Sequence, residues 1–361
     1  MRHTTNNELV YAEQCDLTSA KAIKDFCAQL VKSSGGGLDR TEPPRLDAVI
    51  FAHEYVHIGG YHGSKAEKEN ERARRLQGRL ATFFFTTLLL PIFLTAPQDR
   101  DIRFINVVSP FYGAAIPSYN PKSQEETPAA SIWIEEGQRS LKTILFTRHF
   151  QRILDALPGP IVQTRTSNAD EQPSSSRSTN ADGQAEAVAA KRPSNIIAAV
   201  VSPGISRWDT VAPFMRADRD SPFYLVLGML WSVTKLDAEW PLTSATPSYV
   251  SVLPLLYLFA KSSEAAAQSV LHALFLPSPL KAVGAPSAGS KQNRGQAEYL
   301  KGGALYSECE PVQLPGNSEE RFANEEGGQL VWEHLERELT RWRKSEETAS
   351  GDEQQSSTPK I

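Results

Sequence analysis

Cys15-Asp16-Leu17-Thr18-Ser19-Ala20-Lys21-Ala22-Ile23-Lys24-Asp25-Phe26, followed by Leu46-Asp47-Ala48-Val49-Ile50-Phe51-Ala52, decides the fold. The first stretch reads as the end of a strand turning into an amphipathic helix, and the second as an apolar strand. The same alternation continues along the chain: helix 66–90, strand 102–108, helix 137–157, strand 195–201, then further helices. Asp101-Ile102-Arg103-Phe104-Ile105-Asn106-Val107-Val108 is nearly continuous in apolar residues, as in a central strand. Strands alternating with helices predict an α/β fold, a Rossmann-like, doubly wound parallel sheet covered on both faces.

Composition narrows the function. The 361 residues carry a net charge of −4, with no basic patch to suit nucleic acid or an anionic membrane. Cys15, Cys27 and Cys309 show no C-x-x-C spacing and read as free thiols of a reducing compartment. The first residues are polar, unlike a secretory leader. The chain is expected in the cytoplasm, with attachment at a membrane surface as the variant. The apolar run from Phe83 to Ala96 is shorter than the roughly 20 residues of a membrane span and contains Pro91, so a buried helix is expected. Residues 1–345 are expected to form a single domain. Segment 164–193 reads as a disordered insertion, 282–297 as a surface loop and 346–361 as a disordered tail.

Several segments resemble the short-chain dehydrogenase/reductase family, in particular its retinol-dehydrogenase-like branch. The Asp16-Leu17-Thr18 turn is similar to the family's D-L/V-T/S turn. The helix from Leu141 to Leu154, including Gln151, resembles the long helix after the catalytic Tyr and Lys. Val201-Ser202-Pro203-Gly204 resembles the Pro-Gly turn against the nicotinamide. Gly302-Gly303-Ala304-Leu305-Tyr306-Ser307-Glu308-Cys309 and Gln329-Leu330-Val331-Trp332-Glu333 resemble the branch's C-terminal G-x-Y-x-x-C and L-W-E segments.

The resemblance implies NAD(P)-dependent interconversion of an alcohol and a carbonyl on a lipophilic substrate. It also implies cofactor contacts at Asp16, Pro203 and Gly204. The family needs Tyr as proton donor, Lys beside it, Ser on the substrate oxygen and Asn for a water relay; the close cation is what makes Tyr useful near neutral pH. Ser109 falls on the Ser position. Ungapped alignment puts Glu136 at the Tyr, Ser140 at the Lys and Gly78 at the Asn, and Phe51-Ala52-His53-Glu54 stands where the family has N-N-A-G. Only fourteen residues precede Cys15, and the sequence has no G-x-G-x-x-G loop to bring backbone against a pyrophosphate. Most of the first βαβ unit is therefore expected to be missing, and the enzyme to be impaired or inactive. The alternative is a non-catalytic binding module of the same fold, with a protein partner or a second copy of the chain as further candidates.

Other residues could supply the missing groups. Lys142 lies about 200° around the helix from the expected Lys. Tyr119 with Lys122 is a candidate displaced pair, and Tyr112 lies in the same loop. His53-Glu54-Tyr55-Val56-His57 matches H-E-x-x-H, which on a helix would bind zinc through His53 and His57 with Glu54 as base, and His62 nearby. It begins directly at a strand end with no helix start, so no metal is expected, and zinc-dependent hydrolysis is the third reading. His149, His272 and His334 read as packing or solvated helix residues.

Overall fold

A computed structural model describes residues 12–34, 46–55, 65–97, 100–123, 132–157, 194–206, 260–278, 299–314, 322 and 325–356. The elements are α1 (Ala20–Ser34), β1 (Ala48–Phe51), α2 (Lys65–Leu94), β2 (Ile102–Val107), α3 (Tyr112–Ala115), α4 (Ile132–Ala156), β3 (Ile196–Ser202), α5 (Ser263–Phe275), β4 (Leu305–Ser307), β5 (Glu310–Val312) and α6 (Glu325–Ser356). The expected insertion 164–193 and loop 282–297 lie outside the described residues.

The fold is mixed α/β, with a five-stranded, mostly parallel sheet in the order β1-β2-β3-β4-β5. β1, β2, β3 and β4 pair in parallel, and β5 returns antiparallel. Every residue of β2 and β3 is buried. This accounts for their unbroken apolar sequences: a central strand with helices on both faces has no solvent side to pattern. From β1 through α2 to β2 and through α4 to β3 the sheet grows in one direction, and right-handed crossovers of that kind stack their helices on one face. Accordingly α2 and α4 share a face, where Phe83, Phe85, Phe93, Phe104, Leu141, Ile144 and Phe150 form the main core. α1 and α6 complete that layer. α5 covers the opposite face, over Ile105, Val107, Ile197, Ala199 and Tyr306.

Three expectations are corrected. Residues 12–16 form no strand; Asp16 Oδ1 instead accepts from the Thr18 amide at 2.9 Å and its hydroxyl at 2.7 Å, a side-chain turn that competes with extended pairing. The apolar run does not stop at Pro91, because α2 continues to Leu94. The stretch Glu69–Leu94 is long and apolar enough to cross a membrane, but 56% of its most apolar part is buried inside this fold, where Phe83, Phe85 and Phe93 belong to the main core. Finally, α6 runs to Ser356, into the tail expected to be disordered. Within this helix Glu346 is tied to α1: its two carboxylate oxygens accept from the backbone N–H groups of Ala20 (2.9 Å) and Lys21 (3.3 Å), which have no partner within α1.

Candidate functional site

A cleft of about 170 Å³ opens at the carboxyl ends of β1 and β2, where open α/β sheets place their ligands. The turn after β1 contributes His53 and Glu54, and the end of β2 contributes Val108 and Ser109. α2 supplies Arg74, Arg75, Gly78 and Arg79, and α4 supplies Glu136, Arg139 and Ser140. All four positions aligned to the family's catalytic set (Ser109, Glu136, Ser140 and Gly78) therefore meet in one cavity.

The sheet-facing stripe of α4 is polar along its length: Glu136, Ser140, Thr143, Thr147 and Gln151 recur at helical spacing. Each member beyond the cleft has a partner from the sheet. Thr143 Oγ1 donates to Glu54 Oε2 at 3.2 Å, and Asn106 Nδ2 donates to Thr147 Oγ1 at 2.8 Å. Gln151 Oε1 accepts the Ala198 amide at 2.7 Å. This ladder fixes the rotation of α4 and so aims Glu136 and Ser140 at the end of β2.

Glu136 is buried and ion-paired. Arg75 Nη1 and Arg139 Nη1 converge on the same oxygen, Oε2, the latter at 3.2 Å. Arg75 also reaches Glu71 at 3.0 Å, while Arg139 Nη2 bonds Glu135 at 3.1 Å and Arg72 Nε bonds Glu135 at 2.9 Å. Sequence reasoning missed this arginine cluster. Its signal is present as Glu69-Asn70-Glu71-Arg72-Ala73-Arg74-Arg75 with Gly78-Arg79, and as Glu135-Glu136 with Arg139. Such runs ordinarily mark a solvated helix face.

The other candidates are separated from the chemistry. Tyr119 is buried against Phe322, and burial pushes its phenol up, opposed by the nearby Arg79 charge. Lys122 is exposed and faces Glu326 at 3.5 Å, so the two form no catalytic pair. Tyr112 is likewise raised by burial. Lys142 is buried, and its charge is felt by His334 of α6, away from the position taken by Ser140.

Residues 53–55 form a turn, so the helical face that the H-E-x-x-H spacing requires is not formed there. His53 Nε2 lies 2.9 Å from the Gly78 carbonyl and 3.1 Å from Thr82 Oγ1, while Glu54 turns to α4. His57 and His62 lie outside the described residues, within which no group of three His, Cys, Asp or Glu could hold a metal.

The dinucleotide expected from the resemblance fits the described residues poorly. Asp16 is exposed, with Oδ1 engaged by Thr18. Gly204, after Pro203, adopts a left-handed φ of 88°, as a turn there requires, but its carbonyl accepts the Tyr55 hydroxyl at 3.0 Å. The backbone N–H groups starting α1 are taken by Glu346. Ser140 offers no cation to a ribose.

Part of the chain is similar to two curated proteins. It is 31% identical over 110 residues to the uncharacterized oxidoreductase YNL181W of Saccharomyces cerevisiae, covering 29% of this chain and 25% of that protein. It is 22% identical over 162 residues to the uncharacterized oxidoreductase pbr1 of Schizosaccharomyces pombe, covering 44% of this chain and 41% of that protein. The chain thus spans a quarter to two-fifths of the length of these relatives. No family model matches, and no solved structure does.

Proposed function

We propose that this chain is an oxidoreductase-type protein of short-chain dehydrogenase descent whose cleft binds a ligand but does not itself run proton and hydride transfer. The observation that carries this is the clamping of Glu136 by Arg75 and Arg139 at the position aligned with the proton-donating Tyr. A carboxylate engaged by two guanidinium groups is held in place as their partner and cannot stand in for a phenol poised beside a cation. Descent is supported by the sheet order, by the meeting of the four aligned positions in one cleft and by the word oxidoreductase in the names of both relatives.

What the cleft residues do follows from their chemistry. Ser109, buried at the end of β2, offers a hydroxyl to a ligand oxygen. The arginines offer charged donors, which suit a polar ligand better than the lipophilic one implied by the resemblance. NAD(P) is the cofactor that the family resemblance implies.

A second reading, a working NAD(P)-linked reductase of a carbonyl compound, is favoured by Ser109 alone. The test is spectrophotometric: purified protein with NADPH or NADH and a panel of aldehydes and ketones. No oxidation above background is expected. Turnover that disappears in Ser109→Ala would overturn the binding-only reading.

A further inference from the structure

We infer that the cleft is a binding site for a small anion, a phosphate or a carboxylate, and that Glu136 is its internal competitor. This deepens the proposed function by naming a ligand class, and it rests on that reading of the cleft as a binding site. Four arginines, Arg74, Arg75, Arg79 and Arg139, line the cavity with the carboxylates of Glu54 and Glu136, while Glu71 and Glu135, outside the lining, pair with Arg74, Arg75 and Arg139. The wall that faces a ligand is thus richer in cations than in anions, and a concave wall of that kind raises the local concentration of the opposite ion. The guanidinium fork matches the geometry of phosphate and carboxylate oxygens.

The arginines also converge. Arg75 Nη1 and Arg139 Nη1 meet on one oxygen of Glu136, so two guanidinium groups already each direct one N–H at a single anionic group, with Arg75 Nε on Glu71 and Arg139 Nη2 on Glu135. That group is a side chain on a helix, tethered where an external anion would sit. Arg139 is 9% exposed, and its Nε is buried without a hydrogen-bond partner even though both of its terminal nitrogens are engaged. A buried charged donor left open this way costs stability and is satisfied by an added acceptor. Arg74 differs: its side chain is 60% exposed and contacts Glu71 at 2.6 Å, placing a cation where a ligand would enter. An arriving anion therefore meets Arg74 first and competes with the Glu136 carboxylate for Arg139 and Arg75.

The test is titration of the whole chain by calorimetry with inorganic phosphate and, separately, with acetate, at constant ionic strength to hold screening fixed. Phosphate is expected to bind the unaltered protein. Glu136→Gln, which removes the competing charge, should bind it about tenfold tighter, and Arg139→Gln about tenfold more weakly, each about 1.4 kcal/mol. Arg74→Ala, at an exposed position that leaves the core intact, should weaken binding severalfold. Phosphate preferred over acetate assigns a phosphoryl group to the ligand, and equal binding assigns a carboxylate. The inference is overturned if neither anion binds the unaltered chain or Glu136→Gln by about 10 mM, a ceiling weaker than −4 kcal/mol. It is equally overturned if phosphate affinity is indifferent to Arg74→Ala, a variant that decides the matter even should Glu136→Gln fail to fold. Carbonyl turnover with NADPH would overturn the binding-only function and leave the anion site standing. Absent turnover with no anion response would overturn the anion site alone.

Discussion

Gly137 lies so close to Phe111 that a Cβ built on it would stand 2.2 Å from the Phe111 carbonyl oxygen and 2.7 Å from the Ala115 side chain. No real Cβ makes the first contact, and the atom in the way is backbone. The glycine lets the segment after β2, with α3, seat directly on α4, and this seating brings Ser109 beside Glu136. Gly137→Ala is therefore expected to destabilise the fold by about 1–3 kcal/mol through overpacking, despite the better helix propensity of alanine. Urea denaturation checks it; an unchanged or raised midpoint would show that the two segments are less tightly apposed.

Glu346 caps α1 across more than three hundred residues of sequence, accepting from Ala20 and Lys21. Glu346→Ala leaves two N–H groups of the first helical turn without this acceptor and removes a favourable charge at the helix start. A loss of about 1 kcal/mol is expected. Truncation after Ser345 should cost at least as much, and a truncated chain as stable as the full one would return the segment to the disordered tail expected from its composition.

Gln151 offers a cleaner test of the α4 ladder. Its Oε1 accepts the Ala198 amide at 2.7 Å and its Nε2 donates to the Ile196 carbonyl at 3.4 Å. Gly302 packs on the same side chain, where a Cβ would come within 2.5 Å. Gln151→Leu would keep the bulk but orphan a buried backbone N–H in the central strand. The expected cost is about 1–3 kcal/mol, read by chemical denaturation. A loss under a few tenths would mean that the ladder does not fix α4.

The order of the elements was legible because α/β folds announce themselves in alternating periodicities. β2 and β3 lie within one residue of their expected bounds, and α2 and α4 begin or end only a few residues away. Local signals failed where the deciding partner is distant in sequence. The stretch from Cys15 to Ser19 reads as a strand end, but Asp16 turns its carboxylate onto Thr18 there, and the helix that follows is capped by the distant Glu346. The tail looked disordered because its composition is polar, yet one carboxylate ties it to α1. β4 and β5 were too short for a periodic signal; their hairpin turns on Glu308 and Cys309, both at positive φ, without the glycine that usually marks such a turn. At the site, alignment brought Ser109, Glu136, Ser140 and Gly78 together, but the arginines facing them read as ordinary surface charge. Which face of a charged helix turns inward depends on what packs against it.

Acid sensitivity follows from two histidines. Burial, then the Arg152 charge, holds His149 below its ordinary range, and its Nδ1 is buried without a hydrogen-bond partner beside Trp332. Burial, then Lys142, does the same to His334, with Arg79 and Arg337 adding to it and Glu338 opposing. In each case the folded-state pKa lies below the unfolded value near 6.5. As pH falls through that value the unfolded chain takes up protons first, so stability is full above it and declines on acidification toward the folded pKa values. Unfolding free energy should drop between pH 7 and pH values below 6.5, and His149→Gln with His334→Gln should flatten the slope. An equal slope in the double variant would assign the acid sensitivity to other groups.

Installing the Tyr/Lys dyad of the family that the sequence resembles should not create chemistry. Glu136→Tyr with Ser140→Lys places a phenol and an amine one helical turn apart, facing the end of β2. The same change strips Arg75 and Arg139 of the carboxylate on which both converge and adds a cation one residue from Arg139. Removing one partner of a buried ion pair typically costs about 3–5 kcal/mol, so the double variant is expected to be destabilised by that order in urea. It is also expected to reduce no ketone with NADPH, because the sequence has no G-x-G-x-x-G loop to bring backbone against a pyrophosphate. Relieving the charge excess by also changing Arg139→Leu should recover part of the lost stability while leaving turnover absent. Turnover in the double variant would instead show that Glu136 and Ser140 are the last barrier to catalysis, and that the arginine cluster tolerates a phenol where it now grips a carboxylate.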